Sequence, residues 1–191
     1  MKNIGIVGRK RSGKDTAAAA LVEKLGYARH GLADPLKDAA LALDPIVDVI
    51  SNFYANGEPE PVRLSEVVQD EGWEKAKDEY PEVRRTLQRL GDEAGRQVHG
   101  ERTWVNQLLL RVGEENAHGR PVVVPDVRYP NEANELVMAG FLVVRIERPG
   151  FCDPVPGEHA SEQVERLSVH EIVRNTGTVE DLHAEILGLA S

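Results

Sequence analysis

The residues with the clearest chemical spacing are two glycines and a lysine near the start of the chain. In GRKRSGKDT, Gly8, Gly13 and Lys14 fit the pattern G-x-x-x-x-G-K. Glycines let such a loop curl until its amides and the next helix N-terminus face phosphate oxygens, and the lysine adds a point charge to the β and γ phosphates. Apolar residues 3–8 predict a buried strand before the loop, and alanine-rich residues 14–26 predict a helix after it. Because this is the context that the pattern requires, we predict a nucleoside triphosphate site.

The same loop departs from the usual pattern at one position. Asp15 stands where a Ser or Thr hydroxyl normally ligates Mg²⁺. A carboxylate there holds the ion directly, acts through water, or leaves the ligand role to Thr16, and the sequence leaves these three alternatives open. We therefore predict Mg²⁺ as a cofactor beside Asp15 and Thr16. Arg9, Lys10 and Arg11 make the loop cationic, which suits a site that holds phosphates from two substrates, and we assign Arg11 to the donor phosphates. A solvated charge run is the alternative for Arg9 and Lys10.

The rest of the chain alternates short apolar runs with helical patterns, which is typical of stacked βαβ units. It predicts an α/β fold, a three-layer sandwich around a five-stranded parallel sheet, with a small helical insertion for substrate or lid. The predicted strands are 3–8, 27–31 with a weak pattern, 121–125, a fourth that together with its exit loop spans 141–150, and 171–175. The predicted helices are 14–26, 34–43, 82–98, 103–116 and 131–140, with a last helix opened by Thr178 and Asp181. Residues 56–81 are polar and irregular in pattern, so we expect them to leave the sheet as a substrate flap.

The composition limits the function classes. A chain of 191 residues with 41% hydrophobic content is long enough for one sizeable core, so we expect a single domain over 1–191. A net charge of -9 argues against a grip on polymeric nucleic acid, because neutralising its phosphates needs a basic face. The single cysteine, Cys152, excludes an internal disulfide and fits a reducing compartment. No apolar stretch approaches the roughly 20 residues that cross a bilayer. We therefore expect a soluble, cytoplasmic protein without a membrane partner.

Side chains that follow the predicted strands form a second group of candidates, because the carboxyl ends of strands in an open α/β sheet face the ligand crevice. Asp126 and Arg128 come directly after strand 121–125. We expect Asp126 to orient Mg²⁺ through water or to bond the acceptor sugar, and Arg128 to bridge donor and acceptor phosphates in the transition state. Turn formation is the structural alternative for both. Arg148 begins residues 148–162, which we interpret as a lid that excludes water from the γ-phosphate.

One face of the predicted helix 82–98 carries candidate groups for the acceptor. Four polar side chains are spaced at positions i, i+3, i+4 and i+11: Arg85, Gln88, Arg89 and Arg96. These side chains would project from one side of an α-helix, where arginine can hold a phosphate and the amide can meet a base edge. A solvated arginine-rich face is the competing interpretation.

Several further segments, in one order along most of the chain, resemble a known family. They are GRKRSGKDT, LADPLKDAAL, LQRLGDEAGR followed by TWV, VVVPDVRYPNEA, ERPG, EHASE and NTGTVEDL. With these segments the sequence resembles the deoxynucleoside monophosphate kinases of tailed bacteriophages, a P-loop kinase family. The resemblance implies the P-loop kinase form of the α/β fold, ATP as phosphate donor and, if a phage encodes the protein, the host cytoplasm as its location. It also makes the Gly-Lys-Asp ending of the loop an expected feature.

The resemblance assigns residues outside the loop as well. Asp34 and Lys37, in ADPLK, lie where monophosphate kinases usually hold the acceptor, although helix capping and solvation remain the alternative. Asn175 and Thr178 resemble the loop that contacts adenine, and they equally make an ordinary helix cap. The chain departs from the family in two places: Leu32 replaces an aromatic residue, and Asp92 replaces the threonine of Gly-Thr-Glu. If that threonine contacts the base or sugar, Asp92 shifts the substrate preference.

These observations lead to one function and two alternatives. The leading hypothesis is transfer of the ATP γ-phosphate to a 2′-deoxynucleoside 5′-monophosphate, with Mg²⁺ and without a covalent enzyme intermediate. Lys14, Asp126, Arg128 and Arg148 are the predicted catalytic residues. The first alternative is a kinase of another small phosphate ester such as phosphomevalonate, and the second is a nucleotide-binding protein without catalysis. The sequence ranks neither the four bases nor the oligomeric states, and a homodimer stays open.

Overall fold

The computed structural model describes residues 1–50, 59–150 and 167–190, and every structural statement below concerns these ranges. The strands are β1 Ile4–Val7, β2 Ala28–Arg29, β3 Ile46–Ile50, β4 Glu60–Arg63, β5 Val122–Val127, β6 Leu142–Glu147 and β7 Glu171–Arg174. The helices are α1 Lys14–Leu25, α2 Asp34–Leu43, α3 Leu64–Glu79, α4 Pro81–Gln88, α5 Gln97–His99, α6 Thr103–Ala117, α7 Pro130–Met138 and α8 Val179–Leu189. A π-helical segment, Arg89–Arg96, joins α4 to α5. No helix in the described ranges is long and apolar enough to cross a membrane.

The chain divides into two compact units. The first contains Met1–Leu32 and Gln107–Ser191, and the second contains Ala33–Asn106. The second unit is therefore an insertion in the sequence of the first, and it is longer than the excursion over 56–81 that the sequence indicated.

The first unit is built on a five-stranded sheet with the order β2-β5-β1-β6-β7, in which every neighbouring pair is parallel. This arrangement confirms the predicted α/β sheet. β1 is buried along its whole length because it lies at the centre, between β5 and β6. The predicted second strand was weak in the sequence, and β2 is correspondingly short, with two residues. β5 runs two residues beyond the predicted strand and so includes Asp126.

Helices cover both faces of this sheet, and the alternation of side chains along β1 decides which face each residue meets. Ile4 and Ile6 are fully buried in one cluster with Ala17 of α1 and Leu182 of α8. Gly5 faces the other side, where a Cβ on it would lie 3.1 Å from Leu136 Cδ1 of α7. The central strand therefore sits between two helical layers, which is the predicted sandwich.

The second unit contains a helix that was not among the helices predicted from the sequence. β3 and β4 pair antiparallel in a sheet of their own and α3 follows directly, so residues 60–79 lie outside the five-stranded sheet as regular structure. The helical pattern was hidden because Gly72, with φ 76°, has a non-helical backbone that divides α3 into two helical segments. Charged residues of α3 also form ion pairs along the helix: Lys75 Nζ lies 3.5 Å from Glu71 Oε1 and 3.6 Å from Glu79 Oε1. Residues 56–58 of the expected flap lie outside the described ranges.

The predicted α-helix over 82–98 is also wrong in part, because its middle is π-helical. One glycine of this segment makes room for an indole ring, and another accepts a hydrogen bond from it. A Cβ on Gly95 would lie 2.8 Å from Trp104 Cζ2, and Trp104 Nε1 donates to Gly91 O at 2.9 Å. A π-helical turn contains more residues than an α-helical turn. The α-helical spacing that placed Arg96 on the face of Arg85 therefore does not apply.

Candidate nucleotide-phosphate site

The loop between β1 and α1 has a backbone that only a few residue types can form. Ser12 N donates to Arg9 O at 3.2 Å, which closes a turn. Arg11, with φ 66°, and Gly13, with φ 106°, both adopt left-handed conformations. Left-handed backbone costs an ordinary L-residue about 1–2 kcal/mol, so strain at Arg11 has to be offset by other contacts of the loop. α1 then begins at Lys14, as the sequence predicted.

Close approaches of neighbouring atoms explain both loop glycines. A Cβ on Gly8 would lie 2.7 Å from Ile146 O of β6 and 2.6 Å from Ser12 Oγ. A Cβ on Gly13 would lie 2.7 Å from Asn175 Nδ2. Because the first of these neighbours is backbone that cannot move aside, Gly8 is required by packing as well as by loop curvature.

The lysine of the loop bends back over it. Lys14 Nζ donates to Arg9 O at 2.7 Å, and the contact is partly buried. Arg9 itself is only 7% exposed, so the alternative of a solvated charge run does not describe it. Ser12 is 1% exposed, and its Oγ is buried without a hydrogen-bond partner. The loop thus combines a positioned ammonium group with a buried hydroxyl whose hydrogen bond is unmade.

The carboxylate of the unusual Gly-Lys-Asp ending lies on the surface. The Asp15 side chain is 85% exposed, and its Oδ1 lies 3.5 Å from Arg29 Nη2. Thr16, the next residue, is partly buried. Arg29 was not among the sequence candidates, although its place at the end of β2 was a usable signal, since that end belongs to the same edge of the sheet.

The strand order brings three other candidates to the carboxyl edge beside the loop. β5 and β6 flank β1, so Arg128, just after β5, and Arg148, just after β6, follow the strands on either side. Arg128 is exposed, and Arg148 is partly buried. Asp126, within β5, accepts from Leu32 N at 2.9 Å through Oδ1 and at 3.1 Å through Oδ2. Asp126 therefore fixes the backbone that follows β2.

The turn after β5 is closed by a buried carboxylate. Glu132 Oε2 accepts from Arg128 N at 3.0 Å and from Tyr129 N at 3.1 Å. Both amides stand at the start of α7, where backbone N–H groups lack partners within the helix. Glu132 is therefore a first-turn helix carboxylate that satisfies these two amides.

Asn175 and Thr178 take different positions. Asn175, directly after β7, donates from Nδ2 to Ser12 O at 2.9 Å. Thr178 caps α8: its Oγ1 accepts from Asp181 N at 3.2 Å, and its own N donates to Asp181 Oδ2 at 2.8 Å. Hydrogen bonds from Thr178, the backbone amide first, hold the pKa of Asp181 below its ordinary value. The capping alternative therefore describes Thr178, and the loop contact of Asn175 had no signal in the sequence.

The candidate acceptor residues belong to the second unit. Asp34 opens α2, and Lys37, one turn later, places Nζ 5.6 Å from the centroid of the Trp73 ring. Gln88 and Arg89 are exposed at the end of α4 and the start of the π-helical segment. The partly exposed ammonium group of Lys37 thus lies over an aromatic ring.

The three candidate arginines of this unit pair with carboxylates three or four residues away along the chain. Side-chain nitrogen to carboxylate distances are 3.3 Å for Arg85 and Glu82, 3.2 Å for Arg89 and Glu93, and 2.5 Å for Arg96 and Asp92. Exposed pairs of this kind contribute about 0–1 kcal/mol each, so a phosphate dianion competes with them at little cost.

Part of the predicted lid falls outside the described ranges. Arg148 and Gly150 are described, and residues 151–162 are not. No group of three or more His, Cys, Asp or Glu side chains suited to a metal ion occurs in the part of the chain that the structure covers.

The sequence of the chain is similar to a known family and to a viral protein. Residues 2–50 match the deoxynucleotide monophosphate kinase family. A protein of Acanthamoeba polyphaga mimivirus that carries the name deoxynucleotide monophosphate kinase is 29% identical over 200 residues, covering 96% of this chain and 93% of that one. The chain is similar to the deoxynucleotide monophosphate kinases. The resemblance that the ordered segments indicated is confirmed.

A solved structure supports the fold of the chain. Dephospho-CoA kinase from Campylobacter jejuni superposes with a TM-score of 0.52 at 12% identity, covering 99% of this chain and 95% of that chain. At this identity the likeness concerns the fold alone, and it confirms the predicted α/β sandwich. The family match over residues 2–50 includes the phosphate loop and the ADPLK segment.

Proposed function

We propose that this chain transfers the γ-phosphate of ATP to the 5′-phosphate of a 2′-deoxynucleoside monophosphate and releases the diphosphate and ADP. The observation that carries the proposal is the match to deoxynucleotide monophosphate kinases over a segment that contains a phosphate loop in strand–loop–helix context. A phosphate loop alone would not distinguish a kinase from other nucleotide-binding proteins, so the family match supplies the reaction class.

The donor phosphates bind to the loop of residues 8–16. Backbone amides of the loop and the first turn of α1 donate to phosphate oxygens, and Arg11 adds positive charge. Lys14 now donates to Arg9 O, and it exchanges this carbonyl for the β and γ phosphates. The exchange is favourable because a hydrogen bond to an anionic oxygen is stronger than one to a neutral carbonyl. Gly8 and Gly13 keep side chains out of the space that the loop encloses.

The residues at the start of α1 fit a magnesium ion. Asp15 and Thr16 both offer hard oxygen ligands in the first helical turn. Mg²⁺ in kinases is usually held by one or two protein oxygens together with substrate phosphates and water, so a cluster of three carboxylates is unnecessary. When bound, the ion neutralises charge on the transferring phosphate. The Asp15 carboxylate lies on the surface of this turn, where its Oδ1 is 3.5 Å from Arg29 Nη2 of β2.

The transferring group needs positive charge on more than one side, because negative charge spreads over its equatorial oxygens. Arg128 and Arg148 follow the two strands that flank β1, and we assign them to this role. Asp126 holds the Leu32 amide and so orders the segment after β2, and any role toward metal or sugar is additional to that bond. No side chain forms a covalent intermediate, so positioning and charge neutralisation carry the catalysis.

The acceptor uses residues of the second unit. Lys37 and Arg89 hold the acceptor phosphate, with Asp34 and Arg85 nearby in sequence. Gln88 and Asp92 offer an amide and a carboxylate to the base. Arg89 exchanges its pairing with Glu93 for the phosphate, which costs little because that pair is exposed.

The direct test compares two lysines of α1. Lys14→Ala removes the ammonium group from the loop, and we expect turnover to fall about 10²-fold or more, since removing one preorganised charge contact costs about 3 kcal/mol. Lys24→Ala is the matched control, because Lys24 is exposed in the last turn of the same helix. Full turnover by the Lys14→Ala variant would overturn the proposal. Saturable ATP binding without acceptor-dependent ADP release would favour a non-catalytic nucleotide-binding protein, and turnover of phosphomevalonate alone would favour another small-ester kinase.

A further inference from the structure

Asn175 contacts the phosphate loop at its most constrained point. Its Nδ2 donates to Ser12 O at 2.9 Å across a separation of 163 residues in the sequence. The same Nδ2 packs against Gly13, because a Cβ on Gly13 would lie only 2.7 Å from it. The backbone of Asn175 is itself held, since its N donates to Glu147 O of β6 at 2.7 Å. The amide side chain is therefore a rigid support placed against the Ser12–Gly13 peptide.

Holding that carbonyl fixes the direction of the next amide. A trans peptide is planar, and its C=O and N–H point to opposite sides. The chain has no cis peptide bonds in the described ranges, so the Gly13 N–H points away from the side on which Ser12 O meets Asn175. A rotated peptide would turn a carbonyl oxygen toward a bound phosphate, and two partial negative charges would repel. The contact thus selects the peptide orientation that anion binding requires.

Free rotation of this peptide is a real alternative without Asn175. Gly13 has φ 106° and ψ 12°, and glycine reaches many other combinations at little cost. Arg11, two residues before Gly13, also adopts a left-handed conformation. A loop with such backbone freedom loses binding energy when it must be ordered by the ligand itself.

We propose that Asn175 is a positioning residue that pre-organises the phosphate loop through the Ser12 carbonyl and does not contact adenine. This inference rests on the proposed function for its meaning, because it assigns the loop to ATP phosphates. It replaces the expectation that Asn175 lies on the adenine side. The loop is consequently assembled from both ends of the sequence, with its glycines near residue 10 and its support after β7.

Binding measurements with two ligands separate the two roles. Inorganic tripolyphosphate has the phosphates of ATP and neither base nor sugar. For Asn175→Ala we expect calorimetry to give an affinity about fivefold weaker than wild type for tripolyphosphate and for ATP alike, as for the loss of one hydrogen bond. Asn175→Asp should weaken both further, because a carboxylate cannot donate to Ser12 O and repels phosphate. Thr176→Ala is the control, since Thr176 is an exposed neighbour.

Amide hydrogen exchange of the ligand-free protein supplies a second readout that does not depend on catalysis. We expect the amides of residues 9–14 to exchange faster in Asn175→Ala than in wild type and in Thr176→Ala, with the exchange of β1 unchanged. Unchanged tripolyphosphate affinity with weakened ATP binding would overturn the inference in favour of an adenine contact. Unchanged loop exchange would also overturn it. Absence of acceptor turnover in the wild type would contradict the proposed function and leave the role of Asn175 open to test. Tripolyphosphate binding and amide exchange can both be measured without turnover, and the exchange data alone decide whether Asn175 orders the loop.

Discussion

Replacing the second loop glycine by alanine tests whether the close packing of the loop matters for nucleotide binding. Gly13 has φ 106°, so Gly13→Ala costs about 1–2 kcal/mol in backbone strain. The new Cβ would lie 2.7 Å from Asn175 Nδ2 and 3.0 Å from Leu182 Cδ2. Asn175 must then move and lose its bond to Ser12 O, which adds about 1 kcal/mol. The total of about 2–3 kcal/mol corresponds to a melting temperature lowered by roughly 4–12 °C in a chain of this length.

A matched variant isolates the crowding from the strain. Gly26, at the end of α1, has φ 70°, and a Cβ there would meet no atom within 4 Å. Gly26→Ala should therefore cost only the strain of about 1–2 kcal/mol. We expect it to bind ATP like the wild type.

Differential scanning calorimetry and ATP titration distinguish the two glycines. Gly13→Ala should melt at a lower temperature than Gly26→Ala and should bind ATP about tenfold more weakly or worse, a loss of about 1.4 kcal/mol. Wild-type ATP affinity in Gly13→Ala would refute the view that this loop holds the phosphates through its packed conformation.

Four further predictions concern single side chains. Ser12→Ala removes a buried hydroxyl that has no hydrogen-bond partner, so the ligand-free protein should be equally or more stable in thermal unfolding. The affinity of the variant for ATP should fall. A variant that loses stability and keeps its ATP affinity would contradict this prediction. Thr178→Ala should lower the free energy of unfolding by about 1 kcal/mol through loss of the cap, with ATP affinity unchanged, whereas weaker ATP binding would restore the adenine-side role. The folded pKa of Asp181 is depressed, so its stabilisation is present above the unfolded pKa of about 3.9 and is lost as pH falls through the folded value. The stability difference between wild type and Asp181→Asn, measured by denaturant titration, should therefore shrink below about pH 4, and a difference constant from pH 7 to pH 3 would contradict it. Asp92→Thr should change the ratio of kcat/KM between deoxynucleotides about fivefold with the KM for ATP unchanged, and an unaltered base ranking would remove Asp92 from the acceptor site.

The parts of the fold that the sequence predicted are those with local causes. The parallel strands appear as short apolar runs because both of their faces are buried, as in β1 and β5. The loop was predictable because Gly8, Gly13 and Lys14 are close in sequence and have one chemical purpose. The capping pair of Thr178 and Asp181 was likewise visible, since its bonds span three residues.

The parts that the sequence did not predict depend on contacts between distant residues. The π-helical segment needs the Trp104 ring beside Gly91 and Gly95, and helical periodicity contains no sign of that packing. α3 was missed because the left-handed conformation of Gly72 interrupts a periodicity that would otherwise mark a helix.

The candidate site shows the same division between local and distant causes. The phosphate loop itself was identified correctly as a motif, but its support by Asn175 spans 163 residues. Arg29 was overlooked because its contact with Asp15 forms only when β2 joins the sheet. The assignments of Lys37, Arg89 and Arg128 to substrate phosphates stay predictions, which acceptor kinetics of single variants can test.

Acceptor-dependent ADP formation tests the central proposal most directly. Purified protein would be given ATP and Mg²⁺ with each of the four deoxynucleoside monophosphates, their ribose counterparts or phosphomevalonate, with Lys14→Ala as the inactive reference. We predict turnover with one or more deoxynucleotides, at a rate well above that without acceptor, and its loss in the variant. Measurable ATP binding with no turnover of any deoxynucleotide would contradict the proposed kinase reaction.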